Sequence, residues 1–200
     1  MSDAVYWKNK WANRPSEPAH RFAVRAYKLI QDKKFETLLD LGCGAGRDAR
    51  YFSRKGLSVT AIDRSSSGIR AIQSRNPRIR CILGDLRTVK LKKNSFDVIY
   101  AHLSLHYFDD RTTRRIFQKI YRALKRGGLF FAKCKSVDDP LCGKGEKQGS
   151  DMYYLGHVRH FFSKTYMAEM LTPFKILTIR KTSSVYHQNK TAFIEAIATK

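Results

Sequence analysis

Apolar and polar positions along this chain fall into short apolar runs separated by amphipathic stretches. Thr37–Leu41, Leu57–Ile62, Ile79–Leu83, Ser95–Ala101 and Leu129–Lys133 are apolar runs of strand length. Acids and glycines punctuate their ends, as in strands buried on both faces. Ala45–Lys55, Ser65–Ser74 and Thr112–Leu124 predict helices; Ile116, Ile120 and Leu124 share one face of the last. Gly56 stops the first of these, and a serine caps the second. Upstream, residues 18–33 place Phe22, Tyr27 and Leu29-Ile30 at helical spacing. Downstream, the pattern predicts a long loop at 135–156, a helix over Ser163–Leu171, and strands over Phe174–Arg180 and Ala192–Thr199. Strands alternating with helices predict an α/β chain, a mostly parallel sheet covered on both faces.

Such sheets bind ligands at the carboxyl ends of their strands. Chemistry-bearing residues gather there: Gly42-Cys43-Gly44-Ala45-Gly46 after the first run, Asp63 after the second, Gly84-Asp85 after the third and Ala101 at the end of the fourth. The glycines permit positive φ and close backbone approach. A dinucleotide fingerprint, G-x-G-x-x-G, needs a small third position, which here is Arg47. Asp40 is an acid inside an apolar strand, costly unless paired; a ligand amine would suit it. Asp63 lies where a carboxylate accepts ribose hydroxyls, and Asp85 where one accepts an adenine amino group, or else caps a helix.

Five blocks together resemble class I S-adenosylmethionine methyltransferases: Leu38–Gly46, Val59–Asp63, Gly84-Asp85, Phe96–His106 and Leu124–Leu129. The resemblance covers residues 35–135 well. It implies a Rossmann-like, doubly wound sheet of seven strands, mostly parallel, with an antiparallel C-terminal strand and helices on both faces. It also implies S-adenosyl-L-methionine as cofactor and S-adenosyl-L-homocysteine as product. Carried onto this chain, its cofactor contacts are Asp40, Gly42, Cys43, Gly44, Gly46, Asp63, Arg64, Asp85, Leu86, Ala101 and His102. Trp7 and Trp11, one helical turn apart, resemble the W-x-x-x-W opening of thiopurine and tellurite-resistance methyltransferases. There, an N-terminal segment (here 1–34) covers the cofactor; the plainer reading is a helix anchored on the core. The segment 135–160 falls where this superfamily places substrate contacts, and its length and glycines suit a lid. His106, Tyr107, His157 and His160 are the candidate catalytic groups, with His102 as a further base and Arg159 and His106 as acceptor contacts.

Composition narrows the partners less. Thirty-nine Lys and Arg against seventeen Asp and Glu give a net charge of +22. Such a field draws nucleic acid or other polyanions, yet the basic residues are spread along the whole chain. No apolar run reaches the ~18 residues of a membrane span, and Met1–Trp7 lacks the basic lead and apolar stretch of a signal peptide. A cytoplasmic location is the resulting expectation. The four cysteines form no C-x-x-C or zinc spacing, so no metal is expected. Two hundred residues suit a single domain. The first expectation for function is methyl transfer to a small-molecule acceptor. The alternatives are an RNA- or protein-directed methyltransferase and a non-catalytic cofactor- and polyanion-binding module. The Asp/Asn-Pro-Pro motif of base-amine methyltransferases is absent; Ala101-His102-Leu103-Ser104 stands there.

Overall fold

In the computed structural model, residues 3–12, 15, 17–186 and 189–200 are described. Met1, Ser2, Asn13, Arg14 and Ser16 of the N-terminal segment lie outside them. The helices are α1 (Asp3–Trp11), α2 (Arg21–Lys28), α3 (Arg47–Arg54), α4 (Ser66–Arg75), α5 (Asp110–Ala123) and α6 (Lys164–Met170). The main sheet holds β1 (Thr37–Leu41), β2 (Ser58–Asp63), β3 (Arg80–Leu83), β4 (Phe96–His102), β5 (Leu124–Lys135), β9 (Lys175–Tyr186) and β10 (Asn189–Thr199). Their order is β3-β2-β1-β4-β5-β10-β9, parallel from β3 to β5, with β10 antiparallel to both its neighbours. This is the doubly wound, seven-stranded architecture expected from the sequence.

Alternation along each strand divides the apolar residues between two layers. Leu39, Ile99, Phe130 and Ile194 pack with Ile116, Phe117 and Ile120 of α5 and Met167 of α6. Leu38, Val98, Tyr100 and Phe131 face the opposite way, toward Phe22 of α2, Phe52 of α3 and Ile72 of α4. Side-chain caps start α4, α5 and α6: Ser65 accepts from Gly68 N–H, Asp109 from Thr112 N–H at 2.8 Å, and Ser163 from Tyr166 N–H at 2.9 Å.

The main difference from the expected elements lies after β5. The predicted loop at 135–156 contains β6 (Glu146–Gly149) and β7 (Met152–Tyr154), which with β8 (Val158–His160) form a separate antiparallel sheet. Glu146-Lys147-Gln148-Gly149 is exposed and polar, so hydropathy carries no trace of its pairing. β5 starts five residues before the expected Leu129, because Leu124 pairs with Phe96 ahead of a bulge. Helix α2 is shorter than 18–33, closing in turns over 29–32. No helix among the described residues is long and apolar enough to cross a membrane.

Candidate functional site

The first three parallel strands end in a row, and the turns leaving them line a cavity of about 230 Å³. Gly42, at φ +72°, turns the chain out of β1; its N–H and that of Cys43 both donate to Ile62 O of β2, at 2.8 and 3.0 Å. A Cβ on Gly42 would lie 2.3 Å from Ser104 Cβ, so only glycine lets the β1 and β4 turns meet. Gly44, at φ +55°, is covered by the Trp11 indole, 2.6 Å from where a Cβ would stand. Gly42 and Cys43 line the cavity; Gly44 and Gly46 are not among the lining residues. Their role is to bend the loop and admit Trp11 and Ile72 against it.

Asp63 ends β2 and is buried. One carboxylate oxygen accepts from Gly44 N–H at 2.7 Å, the other from Ser65 N–H at 2.8 Å. Burial raises its pKa, and those two backbone donors partly offset the rise. Each oxygen keeps a second lone pair, and the side chain lines the cavity. Asp40, buried beneath the loop, is pushed further up by burial and then by the neighbouring Asp48 and Asp63 charges. Asp85 follows β3 and is held by Arg87, whose Nη2 lies 2.6 Å away, with Arg64 at 4.0 Å. Burial opposes its charge, but the Arg87 hydrogen bonds win and lower its pKa. Leu86 and His102 also line the cavity, whereas Ala101 lies fully buried behind it.

At the other end, α1 closes the cavity with Trp7, Lys10 and Trp11. Its last turn is tied to the start of α4: Ser65 Oγ donates to Trp7 O at 3.1 Å, and Ser67 Oγ to Lys8 O at 2.5 Å. The Trp7 ring stands 4.8 Å from Tyr107 and 5.6 Å from His157, and Tyr107 and His157 lie 5.1 Å apart. Tyr107 and His157 therefore join the cavity wall with Phe108 and Val158. His106 and His160 do not; both are buried behind it, joined by His160 N–H donating to His106 O at 2.9 Å. Burial, then the positive charge of Lys135 and Arg159, pulls the His106 pKa well down. The Arg159 guanidinium donates to Leu155 O rather than reaching the cavity.

Among the lining residues that the sequence reading did not assign, His20 and Asp48 carry the most chemistry. His20, just before α2, and Asp48, in the first turn of α3, meet at the edge of the cavity. Asp48 accepts from His20 N–H at 2.9 Å and from the Tyr100 hydroxyl at 2.8 Å. Burial works against its charge, but His20 outweighs that and holds its pKa low. The His20 and His102 rings stack with centroids 4.0 Å apart. Burial, followed by His20, lowers the His102 pKa to about 3. His20, Asp48 and His102 offer ligand atoms within 4.8 Å of one another, a donor set that suits a divalent ion. The hydrogen bonds favour a proton there instead. Arg47 Nη1 lies 2.9 Å from His20 Nε2, and a guanidinium can only donate. The ring proton is then on Nδ1, 2.9 Å from Asp48 Oδ2. A metal on Nδ1 would send that proton to Nε2, against the Arg47 donor. An acid in a first helical turn is common, and the only sequence signal was that it follows the glycine loop directly.

Residues 38–128 match the family model described as a methyltransferase domain. Malonyl-[acyl-carrier protein] O-methyltransferase of Salmonella typhimurium is 29% identical over 101 residues, 50% of this chain and 39% of that protein. The chain spans less than half the length of the first curated relatives it matches. Among solved structures, TehB from Haemophilus influenzae superposes with a TM-score of 0.73 at 20% identity, covering 90% of this chain and 62% of that one. Burkholderia thailandensis 1,6-didemethyltoxoflavin-N1-methyltransferase, solved with 1,6-didemethyltoxoflavin and S-adenosylhomocysteine, gives 0.69 at 20% identity, covering 90% and 76%. Sheet order, strand-end acids and these likenesses point the same way: residues 38–128 are similar to a methyltransferase domain, and the fold is that of these solved structures.

Proposed function

We propose that the chain methylates a small-molecule acceptor by in-line displacement, with S-adenosylmethionine as donor. The observation that carries this reading is the row of buried or half-buried carboxylates, Asp40, Asp63 and Asp85, at three strand ends around one cavity. The donor set fits that cofactor. Asp63 keeps lone pairs for a diol, Asp40 suits an ammonium, and the Gly42 turn leaves no side chain in the way. When bound, S-adenosylmethionine supplies a methyl group already activated on a sulfonium. The chain's own residues then orient the acceptor and exclude water. Trp7, Trp11, Tyr107 and His157 do this at the mouth, where α1 and β8 narrow the cavity. A narrowed, aromatic mouth favours a small acceptor over RNA; the +22 charge is what favours the polyanion alternative. Isothermal titration with S-adenosylhomocysteine tests the cofactor reading: micromolar binding is expected, weakened at least tenfold in Asp63→Ala. Full-strength binding in that variant refutes the assignment of Asp63. Turnover on separate metabolite and RNA pools then decides the acceptor class.

A further inference from the structure

The apolar layer on the α2 face of the sheet stops short of the sheet's edge. Ile197 of β10, half-buried, is its outermost strand residue, and β9 contributes none. On the opposite face α6 packs on both strands. Between α2 and β9–β10 there remains a groove of about 320 Å³. Its floor is apolar, formed by Phe22, Leu29, Phe131 and Ile197, and Leu29 is exposed. Its charged lining residues are Arg25, Lys28 and Arg180, with no acid among them. Strand register brings these charges together. Glu195 stands opposite Lys133 on one side and Arg180 on the other, and Arg25 reaches it from α2. Buried Glu195 therefore serves three cations: Lys133 at 3.1 Å, Arg180 at 3.1 Å, and Arg25. Burial works against its charge, but Lys133 and Arg25 outweigh that and hold its pKa low. Among the described residues, one carboxylate leaves this cluster a surplus of two positive charges, and exposed Lys28 adds another at the rim.

We propose that this groove binds a single-tailed amphipathic acid, with its aliphatic body on the apolar floor and its carboxylate among Arg25, Lys28 and Arg180. The groove shares no lining residue with the strand-end cavity, and the inference does not rest on the methyl-transfer reading. Three observations carry it. The guanidiniums are only partly used: Arg25 donates through Nη2, and Arg180 through Nε and Nη2, all to Glu195 Oε2. The Nη1 of each keeps its N–H groups for another acceptor, and a carboxylate is a planar partner that a guanidinium fits. An anion also offsets the positive charge that Glu195 alone leaves over. The floor supplies the other half, because an aliphatic chain laid on Leu29 and Ile197 takes apolar surface out of water. The same features choose among occupants. A second copy brings the same cations to the groove, and like charges oppose it. A nucleic acid meets the cations but has no aliphatic part for the floor. A bilayer surface is too broad to enter a recess walled by a helix and a sheet.

Titration of octanoate, octanamide and acetate into the full chain, followed by methyl NMR, tests the proposal. Octanoate is expected to bind at least about tenfold tighter than either of the others, since it alone has both head and tail. It should shift the methyls of Leu29 and Ile197 and leave those of Leu86 and Val158, in the strand-end cavity, in place. Lys28→Gln leaves the Glu195 cluster whole and should weaken octanoate about threefold. Adding Arg180→Gln, with Lys133 and Arg25 still holding Glu195, should bring octanoate to within about threefold of octanamide. Octanoate binding no tighter than octanamide or acetate overturns the proposal. So do shifts centred on Leu86 and Val158, or a charge preference that survives in the double variant. Shifts of Leu29 and Ile197 on concentrating the chain alone would give the groove to a second copy. Binding to phosphatidylglycerol vesicles but not to octanoate would give it to a bilayer, and either result also overturns the proposal.

Discussion

His102 makes the fold sensitive to acid in a way that can be worked out and measured. In the folded chain its pKa drops from 6.5 to about 3, through burial first and the adjacent His20 second. Between these values the unfolded chain binds a proton that the folded chain refuses, so stability falls as pH falls. Lowering the pH from 7.5 to 5.5 takes an unfolded imidazole from mostly neutral to mostly charged while folded His102 stays neutral. The cost is about 1.4 kcal/mol from this residue alone. His106 and His160 are depressed too and add with the same sign. Asp40 and Asp63, raised by burial, pull the other way, because on acidification the folded chain takes up their protons first. The clean comparison is therefore a difference. Urea unfolding of the wild type and His102→Gln at both pH values should show the variant losing about 1.4 kcal/mol less on acidification. Parallel pH profiles for the two proteins would refute the argument, by showing that His102 is protonated as readily in the fold as out of it.

Other perturbations have definite outcomes. Tyr100→Phe removes the hydroxyl that donates to buried Asp48; about 1–2 kcal/mol of stability should be lost by urea unfolding, and no loss would mean the bond is idle. Gly44→Ala pushes a methyl to 2.6 Å from the Trp11 indole at a φ of +55°. Trp11 must then leave the loop, seen as a red-shifted tryptophan emission, and S-adenosylhomocysteine should bind at least tenfold more weakly. Unchanged emission and affinity would show that the loop yields rather than the helix.

The parts of this molecule that the sequence reveals are those where burial writes the pattern. Strands β1 to β4 are apolar and short, and the first three end at a glycine or an acid, so both the sheet and the row Gly42, Asp63, Asp85 could be read directly. Strand β6, exposed and polar, joins its sheet through backbone pairing with β7, which leaves no periodicity. The outer half of β9, Lys181–Tyr186, hides for the same reason; among its described residues it is exposed or half-buried. The His20–Asp48 pair was out of reach because 28 residues separate its partners. His106 and His160 misled differently. Histidine beside a strand end suggests chemistry, but which side of the cavity wall a ring occupies depends on how β8 returns against the segment after β4, where His160 N–H meets His106 O.

The strand order has a last consequence, for the surplus of positive charge. With β10 placed inside the sheet, the rims are β3 and β9, and each has an unmatched ladder of N–H and C=O groups. An open ladder of that kind invites a second chain to zip on. Arg80 stands on one rim, and Lys175, Arg180 and Lys181 on the other. Two copies meeting rim to rim would bring these cations together. Such crowding disfavours rim-to-rim pairing through Arg80 and Lys175, whereas Arg180 and Lys181 are already paired with Glu195 and Asp138.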